Sequence, residues 1–221
     1  MDWETDNRME MHEINSISDH KKRWGGLLEN PYISKIQRNM LDAGRVGWLC
    51  RALRSYSFKS ILDVGCGLGE YAVLMKNEQG MYCGIDNSFP RVAFAARRYR
   101  RHRFVVGDAR QLPFPDGHFD AVLLMDTSHH LSDEEFRSVL RRLKDVSKRY
   151  VIVGDPVVTE GQNRLSRFFY KLDRGGCFRD IKEMQKIFAA AGGLKLVDLL
   201  FCRTFPGLYA RAACVLEKTR D

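Results

Sequence analysis

No apolar run in the chain approaches the eighteen or more residues that a membrane-spanning helix needs. The opening Met1-Asp2-Trp3-Glu4 is acidic and lacks the basic and apolar regions of a signal peptide, so a cytoplasmic protein is expected. The six cysteines, Cys50, Cys66, Cys83, Cys177, Cys202 and Cys214, include no CxxC pair and stand mostly in apolar stretches. They read as reduced, buried thiols, which argues against a disulfide frame or a zinc site, and no metal is expected. The chain also lacks a Gly-Lys-Ser/Thr after its glycine-rich stretch, so nothing there would hold a triphosphate and its magnesium. With 221 residues it suits one domain with a sizeable core.

What is present centres on Ile61-Leu62-Asp63-Val64-Gly65-Cys66-Gly67-Leu68-Gly69-Glu70-Tyr71. An apolar run that stops at glycines reads as a buried strand, a tight loop able to approach a ligand, and a helix beginning near Gly69. The dinucleotide fingerprint GxGxxG would need glycine where Glu70 stands, and an acid just ahead of the loop would repel a pyrophosphate. Asp63 suits instead a ligand carrying positive charge at this point. Two further apolar runs end in acids: Met81 to Ile85 before Asp86-Asn87, and Phe104 to Val106 before Gly107-Asp108-Ala109. An acid about twenty residues beyond a glycine loop is where ribose hydroxyls are held in Rossmann-type sites, because a carboxylate accepts two hydrogen bonds at once.

In these residues the sequence resembles the class I S-adenosylmethionine (SAM)-dependent methyltransferases, whose first motif is an acid, one residue, then GxGxG. The stretch Leu112-Pro113-Phe114-Pro115-Asp116-Gly117-His118-Phe119-Asp120-Ala121-Val122 is similar to the small-molecule branch that includes the quinone-ring C-methyltransferases. The resemblance covers roughly residues 58 to 155. It implies SAM as cofactor, with Asp63, Gly65, Cys66, Gly67 and Gly69 at the loop. It also implies Asp86 and Asn87 at the ribose, Asp108 and Ala109 at the adenine, and Met125 at the end of the fourth strand.

The implied fold class is α/β, a Rossmann-like doubly wound seven-stranded sheet, mostly parallel with an antiparallel last strand and preceded by N-terminal helices. Strands and helices alternate after the loop, as such a sheet requires. Expected crossovers are 70 to 77, 88 to 99 and 133 to 146, with Ser132 and Glu135 forming a capping box; the link from Asp108 to Asp116 is short. A last pair of strands, Leu194 to Phe201 and Tyr209 to Leu216, is joined closely enough for a hairpin. The expected organisation is a polar, loosely held or disordered arm over 1–20, cap helices over 21–57, and a SAM-binding domain over 58–221 with a lid-like insertion at 156–179. Trp24 and Tyr32 are either lid residues or ordinary core.

Five parallel strands are expected to end in Asp63, Asp86, Asp108, Asp126 and Asp155, which gathers carboxylates on the edge where open α/β sheets bind ligands. His129 and His130 follow the fourth strand and are the candidates for a catalytic base, if the acceptor must lose a proton. Tyr170 and Arg174 belong to a basic, aromatic stretch that would read an anionic or amphiphilic acceptor or lie on a membrane surface as a peripheral contact. The net charge is +8, and Arg97-Arg98-Tyr99-Arg100-Arg101-His102-Arg103 is its sharpest cluster. Two accounts stay open for that cluster: cations closing a helix at its negative end, or a patch for a polyanion. The expected activity is methyl transfer to a small-molecule or lipid-like acceptor, by a monomer or homodimer. An RNA-modifying enzyme using the basic surface and a non-catalytic SAM-binding protein are the alternatives, with nucleic acid the less expected partner.

Overall fold

The computed structural model describes residues 44–75, 80–160, 162, 166, 170, 176–203 and 210–219. The expected arm, most of the expected cap helices, and Trp24, Tyr32 and Arg174 lie outside them. A helix α1 (Arg45–Ala52) leads into strand β1 (Ser60–Val64), whose five residues are all buried, as a central strand covered on both faces must be. The remaining strands are β2 (Met81–Asp86), β3 (Arg103–Val106), β4 (Phe119–Met125), β5 (Ser147–Pro156), β6 (Leu194–Arg203) and β7 (Ala210–Lys218). Their order across the sheet is β3-β2-β1-β4-β5-β7-β6. β1 to β5 run parallel, and β7 pairs antiparallel with both β5 and β6. The seven-stranded, mostly parallel sheet expected from the sequence is the one found.

Side chains alternate across the sheet and sort into two cores. Leu62, Val64, Val122 and Leu124 face one side, where they meet helices α3 (Asp133–Val146) and α4 (Ile181–Ala191) through Phe136, Leu140, Leu143, Met184 and Phe188. Ile61, Ala121, Leu123 and Met125 face the other side and pack with Leu49 and Leu53 and with Tyr71 and Ala72 of a 3₁₀ turn over Glu70–Met75. The turn occupies part of the expected first crossover. Helix α2 (Phe89–Arg98) is the second, and residues 107–118 form turns with no helix, as their length suggested.

Both long helices start at reciprocal caps. Ser132 with Glu135 opens α3, and Asp180 with Glu183 opens α4, each side chain accepting from the partner's backbone N–H or its reverse. The chain winds one way from β1 to β2 and β3, and the other way from β4 to β5. The switch between β1 and β4 opens a crevice at the carboxyl ends of the strands.

At the opposite edge, Asp120 at the start of β4 accepts from the backbone N–H groups of Lys59 (2.8 Å) and Ser60 (3.0 Å) and from Lys148 Nζ (3.1 Å). Burial raises its pKa, but these donors outweigh burial and hold the carboxyl below its ordinary value. A depressed folded pKa contributes stability that is present above the ordinary carboxylate range and lost as pH falls through the folded value. Urea unfolding of Asp120→Asn should therefore show a shallower loss of stability below about pH 4 than the parent, and parallel curves would remove Asp120 from the acid response.

Candidate active site

The glycine loop owes its shape to backbone that only glycine tolerates. Gly65 has φ of +74°, and a Cβ there would stand 2.2 Å from Thr127 Oγ1. Gly69 has φ of +71°, and its Cβ would meet the Phe104 ring at 2.8 Å. The N–H groups of Gly65 and Cys66 both donate to Ile85 O, at 2.8 and 3.0 Å, which ties the loop to the tip of β2.

Asp86, the last residue of β2, accepts from Gly67 N–H through one oxygen and from Ser88 N–H through the other, each at 2.9 Å. A carboxylate offers about four acceptor positions, so this leaves capacity for a ligand's hydroxyls. Asp63 is fully buried below the loop and accepts from the Tyr82 hydroxyl at 2.5 Å. The field of these acids is visible on the Cys66 thiol. Burial pushes its pKa up, and the charges of Asp63 and Asp86 push it further, so it stays protonated. A negative potential under bare backbone favours a cationic ligand.

The crevice wall on the β4 side is an ion cluster that sequence reading missed in part. Asp126 directly follows β4 and is the one non-glycine residue with positive φ among those described, at 54°. Arg211 of β7 and Arg45 of α1 both pair with it, and Arg45 also pairs with Glu70. Arg45 and Arg211 are each 3% exposed. Arg211 could have been found as the lone charge in the apolar run Ala210 to Leu216; Arg45 and Glu70 carry no such signal.

His129 and His130 lie in one 3₁₀ turn, Ser128–His130, with ring centroids 4.2 Å apart, yet differ in burial. His129 is buried, with Nδ1 2.5 Å from Asp155 Oδ1 and its ring stacked 5.1 Å from Phe178, whereas His130 is exposed. A carboxylate that accepts at this distance places a proton on Nδ1. The second oxygen of Asp155 accepts from the Ser128 N–H at 3.1 Å and from the Ser128 hydroxyl. Arg179, also absent from the sequence reading, clamps the same segment. It donates to Ser128 O (3.0 Å), Leu131 O (2.7 Å) and Asp133 Oδ1 (2.8 Å) from beneath the start of α4.

Other expected site residues are placed as follows. Asn87 is exposed on the rim beside Asp86. The carboxylate of Asp108 is gripped by the guanidinium of Arg110, at 2.6 Å to NH2, with Ala109 half-buried next to it. The Met125 side chain turns into the core, where its methyl fills the space a Cβ on Gly154 would take. Tyr170, expected at the acceptor, is buried, and its hydroxyl donates to Val157 O (2.9 Å) and Ala210 O (3.2 Å), joining the end of β5 to the start of β7. That position makes it a brace of the sheet and not a presented contact.

Comparison with known proteins agrees with this geometry. Residues 61–149, about two fifths of the chain, match the family model described as a methyltransferase domain, which supports the class I SAM-dependent methyltransferase reading. It is 36% identical over 93 residues to demethylmenaquinone methyltransferase of Thermotoga maritima, which covers 41% of this chain and 40% of that protein. It is 41% identical over 75 residues to fatty-acid O-methyltransferase of Mycolicibacterium smegmatis, covering 32% of this chain and 27% of that one. The match therefore spans about a quarter to two fifths of these relatives. Among solved structures the fold is similar to that of the cyclase SpnF, with a TM-score of 0.65 and 21% identity over 81% of this chain and 82% of that chain.

SAM is the cofactor of the family. Glycine backbone at positive φ, a carboxylate with spare acceptor positions and a negative potential fit such a group. Gly65→Ala forces a side chain into Thr127 and into unfavourable backbone, so calorimetry should show SAM affinity lowered at least tenfold. Unchanged affinity would mean that the loop does not approach the cofactor.

Proposed function

We propose that the chain transfers a methyl group from SAM to a small, lipid-like acceptor that gives up a proton. Bound SAM supplies an electrophilic methyl, and the leaving thioether needs no protonation. The chain's own tasks are to hold the donor, align the acceptor, exclude water and remove one proton. Asp86 accepts the ribose hydroxyls, Gly65, Gly67 and Gly69 admit the donor to the backbone, and Asp63 contributes charge from below. Asp108 and Ala109 border the adenine side.

The observation that carries the reading is the buried His129–Asp155 pair one turn beyond β4. A carboxylate on Nδ1 fixes the tautomer, stabilises the imidazolium that forms and leaves Nε2 to take a proton, the arrangement of a general base. Asp155 acts as its positioning residue, and exposed His130 lines the entrance. A base of this kind serves a hydroxyl or an activated ring carbon as acceptor, whereas an ionised carboxylate gives up no proton. The names of the two relatives, which act on demethylmenaquinone and fatty acid, support a lipid-like class. Among the described residues no helix is long and apolar enough to cross a membrane.

Labelled SAM incubated with the protein and with separated lipid, metabolite, protein and RNA fractions should place label in the lipid or metabolite fraction; label confined to RNA or protein would overturn the proposal. Asp86→Ala should weaken SAM binding about ten- to a hundredfold, matching the loss of hydrogen bonds to a charged group, while the melting curve keeps its cooperativity. His129→Gln should lower kcat by about a hundredfold or more and remove the acid limb of its pH profile, with SAM affinity unchanged. Asp155→Asn should reduce kcat through the wrong tautomer. A kcat and pH profile like the parent's in both variants would retire the base.

A further inference from the structure

The arginine cluster noted in the sequence stands at the edge of the sheet opposite the active site. Arg97 and Arg98 close α2, Arg100 and Arg101 form the turn after it, and Arg103 starts β3. All five are exposed, no acid interrupts the segment, and Arg97, Arg98 and Arg100 make no ion pair among the described residues. The helix dipole accounts for cations in the last turn of α2, at Arg97 and Arg98. It does not account for Arg100, Arg101 and Arg103, which lie beyond it. His102, within the cluster, has its pKa lowered by partial burial and by the charge of Arg101.

The same edge stays basic across the sheet. Lys59 precedes β1, Lys148 is second in β5, Lys195 is second in β6, and Lys218 ends the antiparallel β7. Asp120 and Glu217 pair with Lys148 and Arg149, so excess charge concentrates at the arginine end and at the far end. There, a cleft of about 300 Å³ is lined by Lys144, Gly193, Lys218 and Thr219. Seven strands set roughly 4.8 Å apart make this strip roughly 29 Å long.

We infer that this strip binds the phosphodiester backbone of a nucleic acid, as an anchoring surface separate from the methyl-transfer site. Arginine forks match phosphate oxygens in pairs, and five of the seven residues 97–103 are arginine. A bilayer is the poorer partner, because surface binding by charge needs an apolar anchor beside it. The large apolar side chains exposed among the described residues are Phe89, Val158, Val197, Leu199 and Phe201, and none falls in the cluster. Phe89 sits at the other end of α2. Tyr99 is packed against Phe104 and is not presented as a stacking platform, so recognition is of phosphate and not of base. The inference does not rest on the methyltransferase reading, since the strip and the glycine loop occupy opposite ends of the strands.

The test is fluorescence anisotropy of the full chain with labelled oligo(U) and oligo(dT) of ~20 nucleotides, titrated from about 50 to about 200 mM salt. Both oligonucleotides should bind with similar affinity, and log K should fall against log salt with a slope of about −2 or steeper, the value for three or more phosphates on a single strand. The triple variant Arg97→Gln, Arg98→Gln, Arg100→Gln should bind at least tenfold more weakly with a slope flatter by about 2, while its SAM affinity, read by calorimetry, stays that of the parent. Binding to oligo(U) alone would overturn phosphate-only recognition. Failure of both oligonucleotides at low salt, an unaffected variant, or cosedimentation with phosphatidylserine vesicles in preference to oligonucleotides would overturn the site.

Discussion

Carboxylates buried at the ends of parallel strands are the constraint from which the rest of the structure follows. A carboxylate withdrawn from water is tolerated only with donors or a countercharge, and Asp63, Asp86 and Asp155 are 0%, 7% and 2% exposed. Each recruits its donors from a different neighbour. Asp86 holds the glycine loop through Gly67 N–H, Asp63 holds Tyr82 one strand away, and Asp155 holds the turn that follows β4. The tips of β1, β2, β4 and β5 are thereby coupled through side chains as well as through the ladder. A donor loop made of bare backbone would otherwise have no reason to keep one conformation.

Parallel pairing turns this local requirement into an asymmetry of the whole molecule. If every strand from β1 to β5 presents its carboxyl end on one edge, every amino end lies on the other, and the two edges can carry opposite charge. One edge gathers Asp63, Asp86, Asp126 and Asp155, while the other carries the arginines around α2 and lysines beside four strands. A chain of net charge +8 can thus present a negative crevice to a sulfonium without losing its attraction for polyanions elsewhere.

The parts of the fold that were legible in the sequence are those written in short-range pattern. Strand tips, the glycine loop and the closing strand pair follow from runs of apolar residues ended by glycine, proline or acid, and the Ser132 cap from the glutamate three residues on. The ion cluster was not legible, because Arg45, Glu70, Asp126 and Arg211 come from four separate elements and meet only in the folded sheet. Arg179 was hidden for the same reason: its role is to bind carbonyls of a turn 48 and 51 residues earlier. Tyr170 shows the converse error. A tyrosine in a basic, aromatic stretch suggested an acceptor contact, but two carbonyls at the junction of β5 and β7 claim its hydroxyl. His129 and His130 looked equivalent as neighbours, and geometry separates them.

That separation follows from the 3₁₀ turn itself. Three residues per turn set adjacent side chains about 120° apart, so the two histidines differ in burial although their ring centroids lie 4.2 Å apart. One turns inward to Asp155 and the other to solvent. The turn is in turn fixed on both sides, by the Asp126 backbone at positive φ with its two arginines before it and by Arg179 after it. The glycine loop is thus held by main-chain hydrogen bonds together with the Asp86 carboxylate, and the turn after β4 by side chains drawn from α1, β5, β7 and the residue that precedes the cap of α4. Substitutions among those side chains can reposition that turn while the glycine loop and its carboxylates stay in place.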